Sequence, residues 1–135
     1  MGRRWLVWVI ITRMDLSQRA DQLFAAAEAQ DWATFRAGFA DDAVIARNVG
    51  GAESIDDAMK TIPLLTRDGS TLRYENARRL VGERSVTEMH DVVLTKPDGD
   101  RRCLDVCVVV EFNDDGQVVR IDEYFDAAQA RAMTR

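Results

Sequence analysis

An α+β domain is the fold class that the sequence predicts, and three observations predict it. Apolar residues recur at helical spacing through the first half of the chain. From Thr71 onward the pattern changes to period two. Gly82-Glu83, Asp98-Gly99 and Asp115-Gly116 punctuate that second half as hairpin turns. Helices followed by an antiparallel meander imply helices packed on one face of a sheet. With 135 residues, 47% hydrophobic and 30% charged, the chain holds one core and no second domain, and it is unlike disordered or low-complexity proteins.

Asp15, with Gln18 three residues on, starts a long amphipathic helix through Leu16, Ala20, Leu23, Phe24 and Ala27. Asp31 caps a second, short helix carrying Trp32, Phe35 and Phe39. Ala43 to Val49 reads as a short strand closed by Gly50-Gly51. Ser54 caps a third helix that buries Ile55, Ala58, Met59 and Ile62 and is disturbed or ended by Pro63. Strands near 71–81, 84–96, 101–112 and 117–125 follow, and Asp126 reads as another helix cap. The domain is expected over 14–135. Residues 1–13 form an N-terminal extension whose Arg3-Arg4 and Trp5–Ile11 run lacks a cleavage signal, and Met14 is an alternative start.

The net charge of -5, with no basic cluster longer than a pair, argues against nucleic acid as a partner. The Trp5–Ile11 run falls short of the roughly 20 residues of a membrane helix, so no membrane partner is expected. Cys103 and Cys107 lie in one strand-like run with Cα atoms about 13 Å apart, too far for a disulfide, and read as thiols of a cytoplasmic protein. A single histidine and no paired His or Cys spacing leave no metal site.

Two-residue turns at the three glycine dipeptides set the expected registers. They pair Asp91 with both Tyr74 and Val106, Met89 with both Asn76 and Val108, and Glu123 with Val108. One face then collects Tyr74, Asn76, Arg78, Met89, Asp91, Val108, Ile121, Glu123 and Phe125 beneath the helices. The other collects Glu75, Glu88, His90, Asp105, Arg120 and Asp122. Asp91 and Glu123, acids among valines, should have raised pKa values. Together with the apolar wall they mark a candidate site for a hydrophobic small molecule.

Phe39-Ala-Asp-Asp-Ala-Val44, Thr87-Glu-Met-His-Asp-Val92 and Arg120-Ile-Asp-Glu-Tyr-Phe-Asp126 after Asp115-Gly116 resemble the nuclear-transport-factor-2-like superfamily. That group includes SnoaL-like (polyketide-cyclase-like) proteins, ketosteroid isomerases and limonene epoxide hydrolases. The resemblance runs from Asp15 to Met133. It implies a cone-shaped, strongly curved sheet wrapped around the N-terminal helices, an internal pocket, frequent homodimers and acid/base chemistry without a cofactor. The epoxide hydrolases of the group use an Asp-Arg-Asp arrangement. Asp91 and Glu123 match its acids, and Met89 stands where its arginine belongs. The isomerase base falls on Arg47. The looser cyclase-like pattern needs only a pocket carboxyl, for which Asp91 is the natural residue.

The expected enzyme therefore uses Asp91 as general acid/base with Glu123 as its partner. Tyr74, Asn76 or Arg47 would orient a substrate oxygen, and Met89, Val108, Ile121 and Phe125 would form the wall. Structural readings stand beside each assignment. The two acids could instead neutralise Arg47 or Arg78, Tyr74 could bond Asp91, and Met89 could fill a gap. His90, adjacent to Asp91, points away from the pocket unless its strand is bulged. A pocket of at least about 300 Å³ beside the acids is what separates binding from a purely structural role. Finally, Val92, Leu94, Cys107, Val109, Val118 and Tyr124 would give the outer face an apolar patch suited to homodimer packing.

Overall fold

Helix α1 (Leu16–Glu28) starts where Asp15 accepts a hydrogen bond from the Gln18 amide at 3.0 Å, and it buries Leu16, Ala20, Leu23, Ala26 and Ala27. The computed structural model describes residues 15–135, so the expected extension at 1–13 and the Met14 start lie outside the described residues. The short α2 (Trp32–Ala37) is capped by Asp31 through the Thr34 amide and hydroxyl. Strand β1 (Phe39–Arg47) turns through Gly50, with φ at 96°, into β2 (Gly51–Ser54). The sequence pattern did not signal β2 as a strand. Ser54 then caps α3 (Ile55–Ala58), and a 3-10 helix spans Ile62–Thr66 with Pro63 in its first turn. The expected third helix is thus split in two, because proline cannot supply the amide that a continuous helix requires.

The second half is β3 (Thr71–Val81), β4 (Ser85–Thr95), β5 (Arg101–Phe112), β6 (Val118–Phe125) and a final helix α4 (Ala127–Met133) capped by Asp126. The six strands form one sheet in the order β2-β1-β6-β5-β4-β3. All neighbours are antiparallel except β1 and β6, which run parallel. Helices α1 and α2 cover one face, and the core there includes Phe35, Phe39, Ile45, Leu72, Val86, Val108, Val110, Phe112 and Ile121. Each such side chain withdrawn from water contributes about 1.5–3 kcal/mol. Helix α4 packs beside β5 beyond the end of β6, where the Gln129 side chain accepts from the Asp105 amide and Arg102 reaches the carbonyls of Ala132 and Met133.

The four meander strands lie where expected, whereas β1 begins at Phe39 rather than Ala43, so that Phe39 belongs to a strand and not to the second helix, and two of the three hairpin registers differ from expectation. The loop after β4 has three residues, Pro97-Asp98-Gly99, closed by Lys96 N–H to Asp100 O at 2.8 Å, with Gly99 at φ 91°. Proline favours the first corner of a type I turn, and a left-handed glycine then completes the hairpin. The pairing is therefore Asp91 with Asp105 and His90 with Val106, one residue from expectation. A one-residue slip exchanges the faces of a strand. Asp91 and Met89 accordingly face away from the helices, while Glu88, His90, Val92 and Leu94 face toward them.

Strand β3 keeps pace through a bulge. Between the pairs Glu75–Asp91 and Arg78–Met89, two residues, Asn76 and Ala77, oppose His90 alone. Asn76 sits at φ 54°, and its Nδ2 donates to Asp91 Oδ2 at 2.8 Å. The extra residue changes the phase of β3, so Leu72 and Tyr74 face inward before it and Arg79 faces inward after it. Asn76, expected inside, lies exposed at the bulge. Because a left-handed conformation is costly for a side chain branched at Cβ, Asn76→Val should lower stability by about 1–3 kcal/mol. Asn76→Gly should lose only the bond to Asp91. Urea denaturation would show this ranking, and equal losses in the two variants would contradict the role given to the left-handed turn.

Candidate active site

Between the helices and the inner sheet face is a cavity of about 220 Å³. Its wall is apolar, built by Leu23 and Phe24 of α1, Phe35 of α2, and a sheet lining that includes Leu72, Val106, Val108, Val110, Ile121 and Phe125. Four polar side chains interrupt it: Arg47, Tyr74, His90 and Glu123. Of the residues expected at the site, Arg47, Tyr74, Val108, Ile121, Glu123 and Phe125 meet here. Asp91, Asn76 and Met89 do not. They line a groove on the opposite face together with Arg78, Asp105, Cys107 and Tyr124. There Asp91 is held by Asn76, and Met89 Sδ accepts from Arg78 at 3.9 Å. The pairing of the two expected acids is thus undone by the register of β4.

The structure supplies a different acid. Glu88, only 1% exposed, points inward, and its Oε2 lies 2.5 Å from His90 Nδ1. Its Oε1 accepts from Arg79 Nε at 2.8 Å and from Arg79 Nη2 at 2.5 Å. Arg79 also bonds Asp21 Oδ1, Ser17 Oγ and the Ser17 carbonyl, which ties the network to α1. Burial pushes the Glu88 carboxyl up, yet the hydrogen bonds from His90 and Arg79 outweigh it and hold the group below the ordinary glutamate value. An ionised Glu88 accepts the Nδ1 proton of His90. This fixes the ring orientation and leaves Nε2 without a hydrogen-bond partner among the described residues. Phe24 and Tyr74 flank the imidazole at centroid distances of 5.1 and 4.8 Å.

At the other side of the cavity Glu123 faces Arg47, with Oε2 3.4 Å from Nε, while Arg47 Nη1 reaches Glu53 Oε1 at 2.6 Å. Burial raises the pKa of Glu123, and Arg47 and His90 only partly offset that rise. Burial also raises the pKa of Tyr74, helped by the negative charge of Glu123, Glu28 and Glu88, so its phenol stays protonated and can donate. The cavity therefore holds an imidazole oriented by a carboxylate, a phenol donor, and a second carboxyl whose pKa burial raises. This set can remove a proton at one point and deliver one at another. Glu88 and His90 were not selected by the sequence. The available signal was Pro97, which marks a three-residue hairpin loop and so the register that turns both residues inward.

The raised pKa of Glu123 has a consequence for stability. A carboxyl that binds its proton more tightly when folded makes stability fall as pH rises from the ordinary glutamate value through the raised one. Above that window the loss is complete and stability levels off. Glu123→Gln should remove the decline, so that its stability relative to the parent improves with pH. Urea denaturation from about pH 5 to about pH 9 checks this. A parent that gained stability relative to the variant over that range would contradict the burial argument.

Comparison with known proteins agrees with this architecture. A polyketide-cyclase-like protein of Xanthomonas campestris pv. campestris superposes with a TM-score of 0.74 at 17% identity, over 89% of this chain and 96% of that one. An LEH-like epoxide hydrolase of M. tuberculosis gives 0.69 at 18% identity, over 86% of each chain. An NTF2-like protein of unknown function from Burkholderia pseudomallei gives 0.73 at 17% identity, over 91% of this chain and 100% of that one. At these identities the likeness is one of fold: a strongly curved, unclosed sheet around N-terminal helices. No curated protein matches. The SnoaL-like domain family matches residues 20–121, three quarters of the sequence, and the chain belongs to that family.

Proposed function

We propose that this protein is a cofactor-independent acid/base enzyme acting on a hydrophobic small molecule, with His90 rather than Asp91 as the proton acceptor. The observation that carries this reading is the buried Glu88–His90 pair at the cavity wall, 2.5 Å between Oε2 and Nδ1. Glu88 orients the imidazole and stabilises the positive charge it gains. His90 Nε2 removes a proton from substrate carbon or from water. Tyr74 donates to the substrate oxygen, and Glu123 supplies or receives the second proton. General acid/base catalysis by such a positioned group contributes about 10²–10⁴-fold. In a turnover screen over cyclic enones and epoxides, His90→Gln and Glu88→Gln should each lower kcat/KM by about 10²-fold or more, and Asp91→Asn should leave it nearly unchanged. Full activity in His90→Gln would remove the imidazole from the mechanism.

Epoxide hydrolysis is a second reading within the same class, and one contact favours it. Arg47 bridges two carboxylates, Glu53 and Glu123, so an acid-arginine-acid arrangement exists here although Met89 does not provide its arginine. His90 would activate water and Glu123 would protonate the epoxide oxygen. Diol formation from terpene or styrene epoxides in the same screen distinguishes this route from isomerisation or cyclisation. By volume, about 220 Å³ against about 300 Å³, and by the pairing of Glu123 with Arg47, a purely structural role is the competing reading; His90 Nε2, without a hydrogen-bond partner among the described residues at the cavity wall, is the observation that supports ligand binding instead.

A homodimer through the outer sheet face remains our reading of assembly, on a smaller patch than the sequence suggested. Val92 faces the cavity, and Leu94 and Val118 are buried, which leaves half-buried Cys107 and Val109 beside exposed Tyr124. Arg120 and Asp122 pair with each other at 2.9 Å, on the same face. A charge at Val109 should dissociate the pair, whereas Asp122→Ala should not. Sedimentation velocity at micromolar concentration decides, and a monomeric parent would overturn the assignment.

A further inference from the structure

The cavity contains an arginine that is already occupied. Arg47 Nη1 lies 2.6 Å from Glu53 Oε1, and its Nε lies 3.4 Å from Glu123 Oε2. Glu53 comes from β2, next to β1, and its side chain is 29% exposed. One cation thus stands between two acids, and among the described residues that line the cavity no other lysine or arginine is present. Arg79, the next arginine inward, is taken up by Glu88 and Asp21. A carboxylate or phosphate entering this space would lose its hydration and find no free cation to replace it. The desolvation cost of an unpaired anion is large. Neutral oxygen, by contrast, finds the Tyr74 phenol as a donor, and a hydroxyl can also donate to His90 Nε2.

Size narrows the choice further. A closed apolar cavity of about 150 Å³ holds benzene, so a volume of about 220 Å³ suits one ring with a short oxygenated substituent. Four fused rings exceed that volume.

We propose that the cavity selects neutral, single-ring molecules bearing a carbonyl, hydroxyl or epoxide oxygen, and that Glu53 determines this selectivity by holding Arg47 together with Glu123. The inference rests on the cavity being the ligand site, as proposed above, but needs no turnover. Acetophenone and benzoate are nearly equal in size and differ in charge, which makes them suitable probes. The chain has a single histidine, so the imidazole resonances of His90 report occupancy without ambiguity. Acetophenone should shift them saturably. Benzoate should bind more than tenfold more weakly, or not at all, and progesterone should not compete with acetophenone. In Glu53→Gln the released guanidinium should strengthen benzoate binding by about tenfold, with acetophenone affinity little changed; tenfold corresponds to about 1.4 kcal/mol.

Benzoate binding as tightly as acetophenone in the parent would overturn the selectivity while leaving the ligand-site reading intact. Progesterone competing as well as acetophenone would overturn the size limit. No saturable shift with any probe would overturn the ligand site and the proposal together. Unchanged benzoate affinity in a folded Glu53→Gln, verified by its circular dichroism and melting, would remove Glu53 from the account. Should that variant fail to fold, the comparison of acetophenone with benzoate in the parent decides the selectivity.

Discussion

The carboxylate of Glu88 is the group around which the rest of this interior is arranged. Placed 1% exposed on a sheet face rich in valine, it can stay ionised only if other groups replace its lost hydration. Arg79 and His90 do so from opposite sides, and each imposes a further condition. Arg79 must face inward, which a regular β3 carrying an inward Tyr74 would not allow, and the bulge at Asn76 and Ala77 provides the change of phase. Arg79 must also be held, which Ser17 and Asp21 of α1 accomplish, so the same ion pair that satisfies Glu88 docks the helix over the cavity. His90 is then fixed with one nitrogen committed to Glu88 and the other left for chemistry.

Across the sheet the registers place Arg79, Glu88, Val108, Glu123 and Arg47 in one row, a cation and an acid on each side of a valine. The two acids are alike in position and opposite in behaviour. Glu88 receives short bonds from two partners and is held below the ordinary glutamate value. Glu123 has one looser contact, shares its arginine with Glu53, and is raised. Divergence of two carboxyl groups by environment alone is what assigns distinct proton-transfer roles to chemically equivalent side chains. Here the divergence follows from the balance of two effects: burial prevails at Glu123, and the hydrogen bonds from His90 and Arg79 prevail over it at Glu88.

Helix starts, the four meander strands and the α+β class were legible in the sequence because they depend on local chemistry. Asp15, Asp31, Ser54 and Asp126 each cap the helix they were expected to cap. The contents of the pocket depended on parity, which a single residue in a loop reverses. The hairpins at Gly99 and Gly116 are built alike, with three-residue loops where two were expected, yet only the first moved side chains to the wrong face. At Gly116 a register shift between Glu111 and Phe112 absorbs the extra residue, so Val108 still meets Glu123 and Val110 still meets Ile121. That is why Glu123, Val108, Ile121 and Phe125 lie on the expected sheet face, while Asp91 and Met89 exchanged faces with His90 and Glu88. The Asn76 bulge left no comparable sign, since asparagine in a strand-like run does not by itself announce a left-handed turn.

Asp91 illustrates how a residue can matter to a site that it does not enter. It stands directly opposite Asp105 on β5, a like-charge pairing that is unfavourable in isolation. The Asn76 amide bonds Asp91 from the β3 side, and Gln129 of α4 reaches Asp105 from the other at 3.3 Å. The first of these contacts spans β3 and β4 at the bulge, next to the backbone of His90. Through it the outer face secures the phase change that delivers Arg79 to Glu88 on the inner face. A positioning carboxylate and a catalytic one at this point of the strand are told apart by the face on which the group lies, and Asp91 lies on the outer one.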